Sequence, residues 1–369
     1  MRLLFDARYI RTDFHDGISR FSTELGRALV PLCAREGDDL RFLISDPAQR
    51  RLLAPGARTL LLHAPDSVLE PATALALNAL HPDAVFTPMP TMGSLGRRYP
   101  LILTQHDLIY YHHRTPPSGL PAWLRLGWRL FFLSYWPQRC VLNRADAVAT
   151  VSSTVRDEFR KVHLTSRPVV VLPNAADDLL SQDPVDAGAP AAERADAEPR
   201  NLVYMGSFMG YKNVETLLRA AAELPGWTVH LLSRISPDRE RELRTIAPDA
   251  AVEFHHGVSD AEYRRLLSDR AVLVMPSLDE GYGLPIAEAQ AWGAPVVASD
   301  LPIFHEVAGD GALFFDPHDP HDLSRQVLRL TDPGLRASRI AAGRAQVARW
   351  TWADTAARLR RVAALLGGR

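Results

Sequence analysis

Short, almost wholly apolar runs alternate along this chain with longer stretches in which apolar residues recur every three or four positions. The first pattern reads as a strand buried on both faces, the second as an amphipathic helix. Leu3 to Ala7 is the first such strand, and Ile18, Phe21, Leu25, Leu29 and Leu32 mark the helix that follows. Strand-like runs recur at 41–45, 58–62, 84–87, 101–104, 145–152 and 169–172, with an Ala/Leu helix near 71–80. A second series opens at Asn201 to Met205, runs through 228–233, 252–256, 271–275 and 295–299, and continues past 309–315. Such strand–helix alternation predicts doubly wound parallel sheets.

Between the two series, Ser181 to Arg200 lacks apolar periodicity and is rich in Pro, Ala and charge. The boundary is therefore expected there, with a linker at 181–200 between domains at 1–180 and 201–349. A final helix with an Arg-rich face is expected within 350–369. Pro121 to Asn143 breaks the pattern, being apolar and aromatic but interrupted by Arg125, Arg129 and Arg139. Those charges argue against a spanning helix. Two readings stand: a long helix buried beside the sheet with its arginines reaching water, or a helix lying in a membrane interface on Trp123, Trp128 and Trp136.

A length of 369 residues fits about two domains, and 47% hydrophobic with 23% charged residues suits a soluble globular chain. A net charge of −1 gives no electrostatic case for nucleic acid. Two cysteines, Cys33 and Cys140, make neither a disulfide framework nor a zinc cluster, which fits a reducing cytoplasm. MRLLFDARYI reads as a first strand rather than a signal peptide, and no uninterrupted apolar run is long enough to span a bilayer.

The candidate chemistry centres on Met275 to Asp300. A buried strand runs into a loop carrying Glu280, then Gly281-Tyr282-Gly283-Leu284, with Pro285 at a helix start and Glu288 within the helix, which stops at Gly293. Ligands in open α/β sheets bind at the carboxyl ends of strands, and a helix N-terminus there favours anions. Glycines admit a ligand close to the backbone, and carboxylates grip sugar hydroxyls. The pattern suits a nucleotide-linked sugar; Glu280 as a solvated loop charge and Glu288 as a first-turn carboxylate are the plain alternatives. Lys212 follows a strand at a helix entry, within Gly206-Ser-Phe-Met-Gly210-Tyr-Lys212, where it is well placed for phosphate. Gln105-His106-Asp107 ends another strand, and Gly17 stands at a loop-to-helix junction. His255-His256 and the stretch 316–322 tempt a metal reading, but both read more simply as turns, and no metal is expected.

The E-x7-E spacing from Glu280 to Glu288 around E-G-Y-G-L-P resembles the signature of retaining glycosyltransferases of family four, and further matches run along nearly the whole chain. The resemblance implies the GT-B fold: two Rossmann-like domains facing across a cleft, with the last helix crossing back to the first. It implies that Glu288 binds ribose, that Glu280 and the amides from Gly281 to Leu284 hold the sugar and its phosphate, and that Lys212 meets the diphosphate. It also implies that His106 lies beside the transferred sugar and donates to a hydroxyl, that Gly17 approaches a substrate, and that the loop at Val258 contacts the base. Three positions depart from the family pattern: Ser19 for a second glycine, Ser207 for an arginine, and Ala175 for a glycine. Arg20 and Arg234 are each as well read as surface arginines.

The implied activity is metal-independent transfer of a hexose, best matched to mannose from GDP-mannose, to a glycan or lipid-linked hydroxyl. No cofactor beyond the substrate is expected. Peripheral membrane contact through 121–143, at the inner face, stays open. The other reading is a nucleotide-sugar-binding protein without turnover.

Overall fold

The computed structural model describes residues 1–13, 16–116, 121–180 and 198–368. Phe14 and His15 of the first loop, and most of the expected linker at 181–200, lie outside the described residues. The chain divides into two compact units: Met1–Asn174 with Trp352–Arg369, and Ala175–Thr351. The change of unit thus falls just before the expected linker.

The first unit holds a seven-stranded parallel sheet. Its strands are β1 (Arg2–Asp6), β2 (Asp39–Ile44), β3 (Arg58–Leu61), β4 (Ala84–Thr87), β5 (Leu101–Thr104), β6 (Ala147–Thr150) and β7 (Val169–Val171), in the order β3-β2-β1-β4-β5-β6-β7. β1, β4, β5 and β6 are apolar almost throughout because both faces are covered. In the Gly17–Arg35 helix, Phe21, Leu25, Leu29 and Cys33 are buried, so the apolar stripe ends on Cys33 rather than Leu32. The last helix, Trp352–Leu366, packs on this one within the same unit. Trp352 meets Phe21 edge-on at 6.1 Å, Thr355 donates to the Pro173 carbonyl at 2.8 Å, and Arg360 pairs with Asp38 at 2.6 Å.

The second unit holds a six-stranded parallel sheet: β8 (Asn201–Tyr204), β9 (Thr228–Leu231), β10 (Ala251–Phe254), β11 (Ala271–Met275), β12 (Val296–Ser299) and β13 (Ala312–Phe315). Their order, β10-β9-β8-β11-β12-β13, reverses direction between β8 and β11. A crevice opens at the carboxyl ends of strands at that reversal, and ligands of such sheets bind in it. The equivalent reversal in the first sheet lies between β1 and β4.

The passage 121–143 is not one buried helix. It forms two helices, Ala122–Phe131 and Trp136–Leu142, and the first has no buried residue. Trp123 is 72% exposed, and Leu126, Leu130, Leu133 and Trp136 are also largely in water. Tyr110, Tyr111, Trp128, Phe132 and Tyr135 instead stack on one another along one side. The segment spends its inner side on that aromatic cluster and leaves an apolar outer side. Among the described residues, no helix is long and apolar enough to cross a membrane.

Candidate functional site

In the second unit, β8 leads through a turn into a 3-10 segment, Gly210–Lys212, and then the Val214–Ala221 helix. Gly206 is fixed by crowding, since a Cβ there would come within 2.7 Å of the Tyr204 hydroxyl. That hydroxyl donates to the Ser207 carbonyl at 2.6 Å, and burial, with the nearby Glu280 carboxylate, holds the phenol well above its ordinary pKa. Ser207, in the place of the family arginine, is exposed.

Across the sheet reversal, the loop after β11 brings Glu280 to Lys212. The Lys212 ammonium lies 2.5 Å from Glu280 Oε1, with both side chains mostly out of water. Ser277 donates to the same oxygen at 2.9 Å. Asn213 knits the neighbouring strand ends. Its amide donates to the Pro276 and Pro317 carbonyls at 2.9 and 2.8 Å, and its side-chain oxygen accepts from Thr216 at 2.9 Å. It stands in the left-handed region at φ 54°, which Asn tolerates better than most residues. The Leu278 amide adds a bond to the Tyr211 carbonyl at 2.7 Å. The sequence reading missed Asn213, although an Asn directly before a helix, beside Lys212, was its signal.

Gly283 has φ 96° and caps the Leu284–Trp292 helix, and a Cβ there would meet the Phe304 ring at 2.9 Å. Pro285 is thus the second helical residue rather than the first. Glu288 is buried on this helix, and Gly293, at φ 76°, ends it as expected. Tyr282 is buried too, and its phenol is pushed up by desolvation and by Glu306. At the β10 end of the crevice, Gly257, at φ 107°, lies under the stem of exposed Arg234 and donates to the Leu232 carbonyl at 2.8 Å. Half-buried Val258 follows it. Lys212, Glu280 and the 281–288 run therefore share one set of strand ends. A cavity of about 500 Å³ lined by His305, Phe314, Arg329 and Arg339 contains none of them.

His106 and Gly17 belong to the first unit. His106 stands two residues after β5, with its ring edge-on to Phe21 at 5.4 Å and Nε2 2.8 Å from the Pro88 carbonyl. Nε2 must carry the proton there, because a carbonyl only accepts. Desolvation lowers the ring's pKa, opposed by the Pro88 carbonyl and Asp16. A neutral ring in this tautomer presents Nδ1 as an acceptor, so it would receive a bond from a sugar hydroxyl where donation was expected. Gly17 opens its helix, capped by Asp16, which accepts from the Ser19 amide at 2.7 Å. Ser19, in place of a glycine, is buried, and its hydroxyl accepts from the Arg11 amide at 3.0 Å.

The loop after β1 holds a second group that the sequence reading missed. Buried Arg8 bonds both Asp6 oxygens, at 2.8 and 3.0 Å, and both Glu70 oxygens, at 2.7 and 3.1 Å. The guanidinium lowers the Glu70 pKa against the opposing effect of burial. The Asp-Ala-Arg run after the first strand was its one sequence signal.

A family model described as Glycosyltransferase Family 4 matches residues 16–178, and one described as Glycosyl transferases group 1 matches 199–332. The O-antigen chain mannosyltransferase RfbU of Salmonella typhimurium is 30% identical over 48% of this chain and 49% of its own. O-antigen chain mannosyltransferase B of Escherichia coli is 28% identical over 57% of this chain and 58% of its own. The chain thus spans about half the length of these curated relatives. A sucrose-phosphate synthase from Thermosynechococcus elongatus shares the fold, with a TM-score of 0.74, 98% of both chains covered and 20% identity.

Proposed function

We propose that this chain, which belongs to glycosyltransferase family four and has the GT-B fold, transfers a hexose from a nucleoside-diphosphate sugar to a hydroxyl acceptor. The observation that carries this reading is the Lys212–Glu280 pair at the sheet reversal, 2.5 Å apart and largely dry. A cation at a helix entry suits a departing diphosphate, and a held carboxylate suits sugar hydroxyls. Glu288 is assigned the ribose, and the backbone from Gly281 to Leu284, with the Val258 loop, the remainder of the donor. The hexose is mannose and the donor GDP-mannose, a choice supported by the two mannosyltransferase relatives.

Transfer proceeds with retention. The anomeric carbon–phosphate oxygen bond breaks as the acceptor oxygen bonds on the same face, and the acceptor proton passes to the leaving phosphate. Lys212 offsets the charge that builds on that phosphate, a role that needs no metal. The acceptor is a glycan or lipid-linked hydroxyl. The exposed apolar side of 121–143 supports peripheral contact with the inner face of a membrane, where such acceptors reside.

Exposed Ser207, in place of an arginine, favours a second reading, in which the chain binds a sugar nucleotide without turning it over. A thermal-shift panel of GDP-mannose, UDP-glucose, UDP-N-acetylglucosamine and ADP-glucose, followed by a product assay on the winner, separates the two. One donor that raises Tm and yields product supports transfer. A shift without product supports the second reading, and no shift with any donor removes the site assignment.

A further inference from the structure

β10 is the edge strand of the second sheet, and its two faces differ in kind. Val252 and Phe254 pack with Val229 and Leu231 of β9 against the apolar core. The parallel register sets Glu253 beside His230, and His255 follows two residues on, so all three occupy the opposite face. Parallel strands ordinarily present apolar residues on both faces. Here the second face carries two imidazoles and a carboxylate.

Their donor atoms converge. His230 Nδ1 lies 3.1 Å from His255 Nε2 and 3.3 Å from Glu253 Oε2, and that oxygen lies 3.8 Å from His255 Nε2. Among the described residues this is the one group of three or more such side chains whose donor atoms all lie within 4.8 Å of one another. Ligand atoms bound at about 2.0–2.2 Å around a tetrahedral Zn²⁺ stand roughly 3.3–3.6 Å apart, and the three separations straddle that edge. One hydrogen bond between the imidazoles would account for a single distance. It does not account for the same two nitrogens also facing one carboxylate oxygen.

We propose that His230, Glu253 and His255 form a binding site for a divalent first-row transition metal, of which Zn²⁺ is the probe. Two imidazoles and one carboxylate suit Zn²⁺, Ni²⁺ or Cu²⁺ and disfavour Mg²⁺ or Ca²⁺, which prefer all-oxygen shells. Three protein ligands leave a fourth position for water, on the side where Glu253 is largely exposed. His230 and Glu253 stand on strands, and His255 directly follows β10 with its amide bonded to the Leu231 carbonyl at 3.0 Å. His230 is nearly buried and His255 mostly so, which pre-positions two of the ligands. Arg265 and Asp269 also act on His230, in opposite senses, so these two neighbours add no uniform repulsion. A bound ion would pin β10 to β9 just before His256 and Gly257, which take left-handed conformations at φ 56° and 107°. Its role is to set the entry to the Val258 loop, and it stands apart from the transfer chemistry. The expectation of no metal read His255-His256 and 316–322 as turns; the partner ring of His255 comes from a strand 25 residues earlier.

The test uses the full chain, stripped with a chelator, desalted and titrated with Zn²⁺ against a competing chromophoric chelator. The expected result is one Zn²⁺ per chain, a saturable rise in Tm, and a tetrahedral visible spectrum with Co²⁺ as substitute. His230→Gln and His255→Gln should abolish binding. Glu253→Gln, at an exposed position that does not threaten folding, should weaken it by roughly tenfold or more. His318→Gln with His321→Gln, on a separate loop and the start of the helix after it, should leave it intact. No stoichiometric binding to the wild type, or binding that survives Glu253→Gln and His255→Gln unchanged, overturns the proposal.

Discussion

Lys212 Nζ and Glu280 Oε1 lie 2.5 Å apart at the ends of β8 and β11, so the two groups assigned to the donor are each other's partners. A diphosphate that reaches Lys212 must compete with Glu280 for it, and Glu280 is released to sugar hydroxyls as it does so. Lys212→Ala is therefore expected to cost about 10²–10³ in kcat, the scale for loss of one charge-stabilising donor. It also leaves a mostly buried carboxylate without its ammonium partner, still supported by Ser277, with a stability loss of about 2 kcal/mol. Glu280→Gln keeps the Ser277 bond and a neutral acceptor for Lys212, so it should cost less stability than Lys212→Ala while transfer falls. A double-mutant cycle on kcat/KM and on urea stability checks both, and additive effects in both would disprove the exchange of partners.

Asn213 decides whether those two loops stay in register. Its amide bonds to the Pro276 and Pro317 carbonyls tie the segment after β8 to the ends of β11 and β13 through one side chain. Asn213→Ala removes these bonds and places a Cβ residue without a polar side chain at φ 54°. Asn213→Gly removes the same bonds without that strain. The glycine variant should be the more stable of the two by about 1 kcal/mol, and both should raise the donor KM. Denaturation of the pair gives the sign, and equal stabilities would show that backbone strain plays no part.

The two-sheet architecture was legible because apolar runs buried on both faces leave a plain trace, and β4, β5, β11 and β12 fall where those runs lie. Glu280 and Glu288 stood out because one long local motif carries them, and Lys212 because it follows a strand at a helix entry. What escaped depends on distant partners. Arg8 acquires meaning only when Glu70 arrives from 62 residues away, and His230 only beside His255. Of the two readings open for 121–143, the single buried helix fails, because apolar content alone does not say where a helix ends or which side it covers. The chain breaks between Phe131 and Trp136, and the aromatic cluster needs only one side of it.

Arg8 offers a stability test in the first unit. Its guanidinium is fully buried between Asp6 and Glu70, and removing one member of such a set strands the others. Arg8→Met is expected to cost about 3–5 kcal/mol. Adding Glu70→Gln to it should recover part of that loss, since one uncompensated charge disappears. Urea midpoints for the single and double variants read this directly. A double variant less stable than Arg8→Met would show that Glu70 is held by other groups, such as Thr73 and Gly93.

His106 gives the pH dependence its sign. Desolvation puts the native pKa below the ordinary value of 6.5, so the unfolded chain binds this proton more readily than the native one. Stability from this group is complete above about pH 6.5 and is lost as pH falls toward the native pKa. Protonation would also convert Nδ1 from an acceptor into a donor while Nε2 keeps its bond to Pro88, reversing the polarity offered to a sugar hydroxyl. Wild type should therefore lose stability and transfer rate together on acidification from about pH 7 to about pH 5. His106→Gln, which cannot titrate, should show a shallower decline in stability. Urea titrations of both proteins at the two pH values measure the difference, and parallel losses would place the acid sensitivity elsewhere. If the stability slopes diverge as expected while the rate slopes do not, His106 titrates as described but is not a sugar contact.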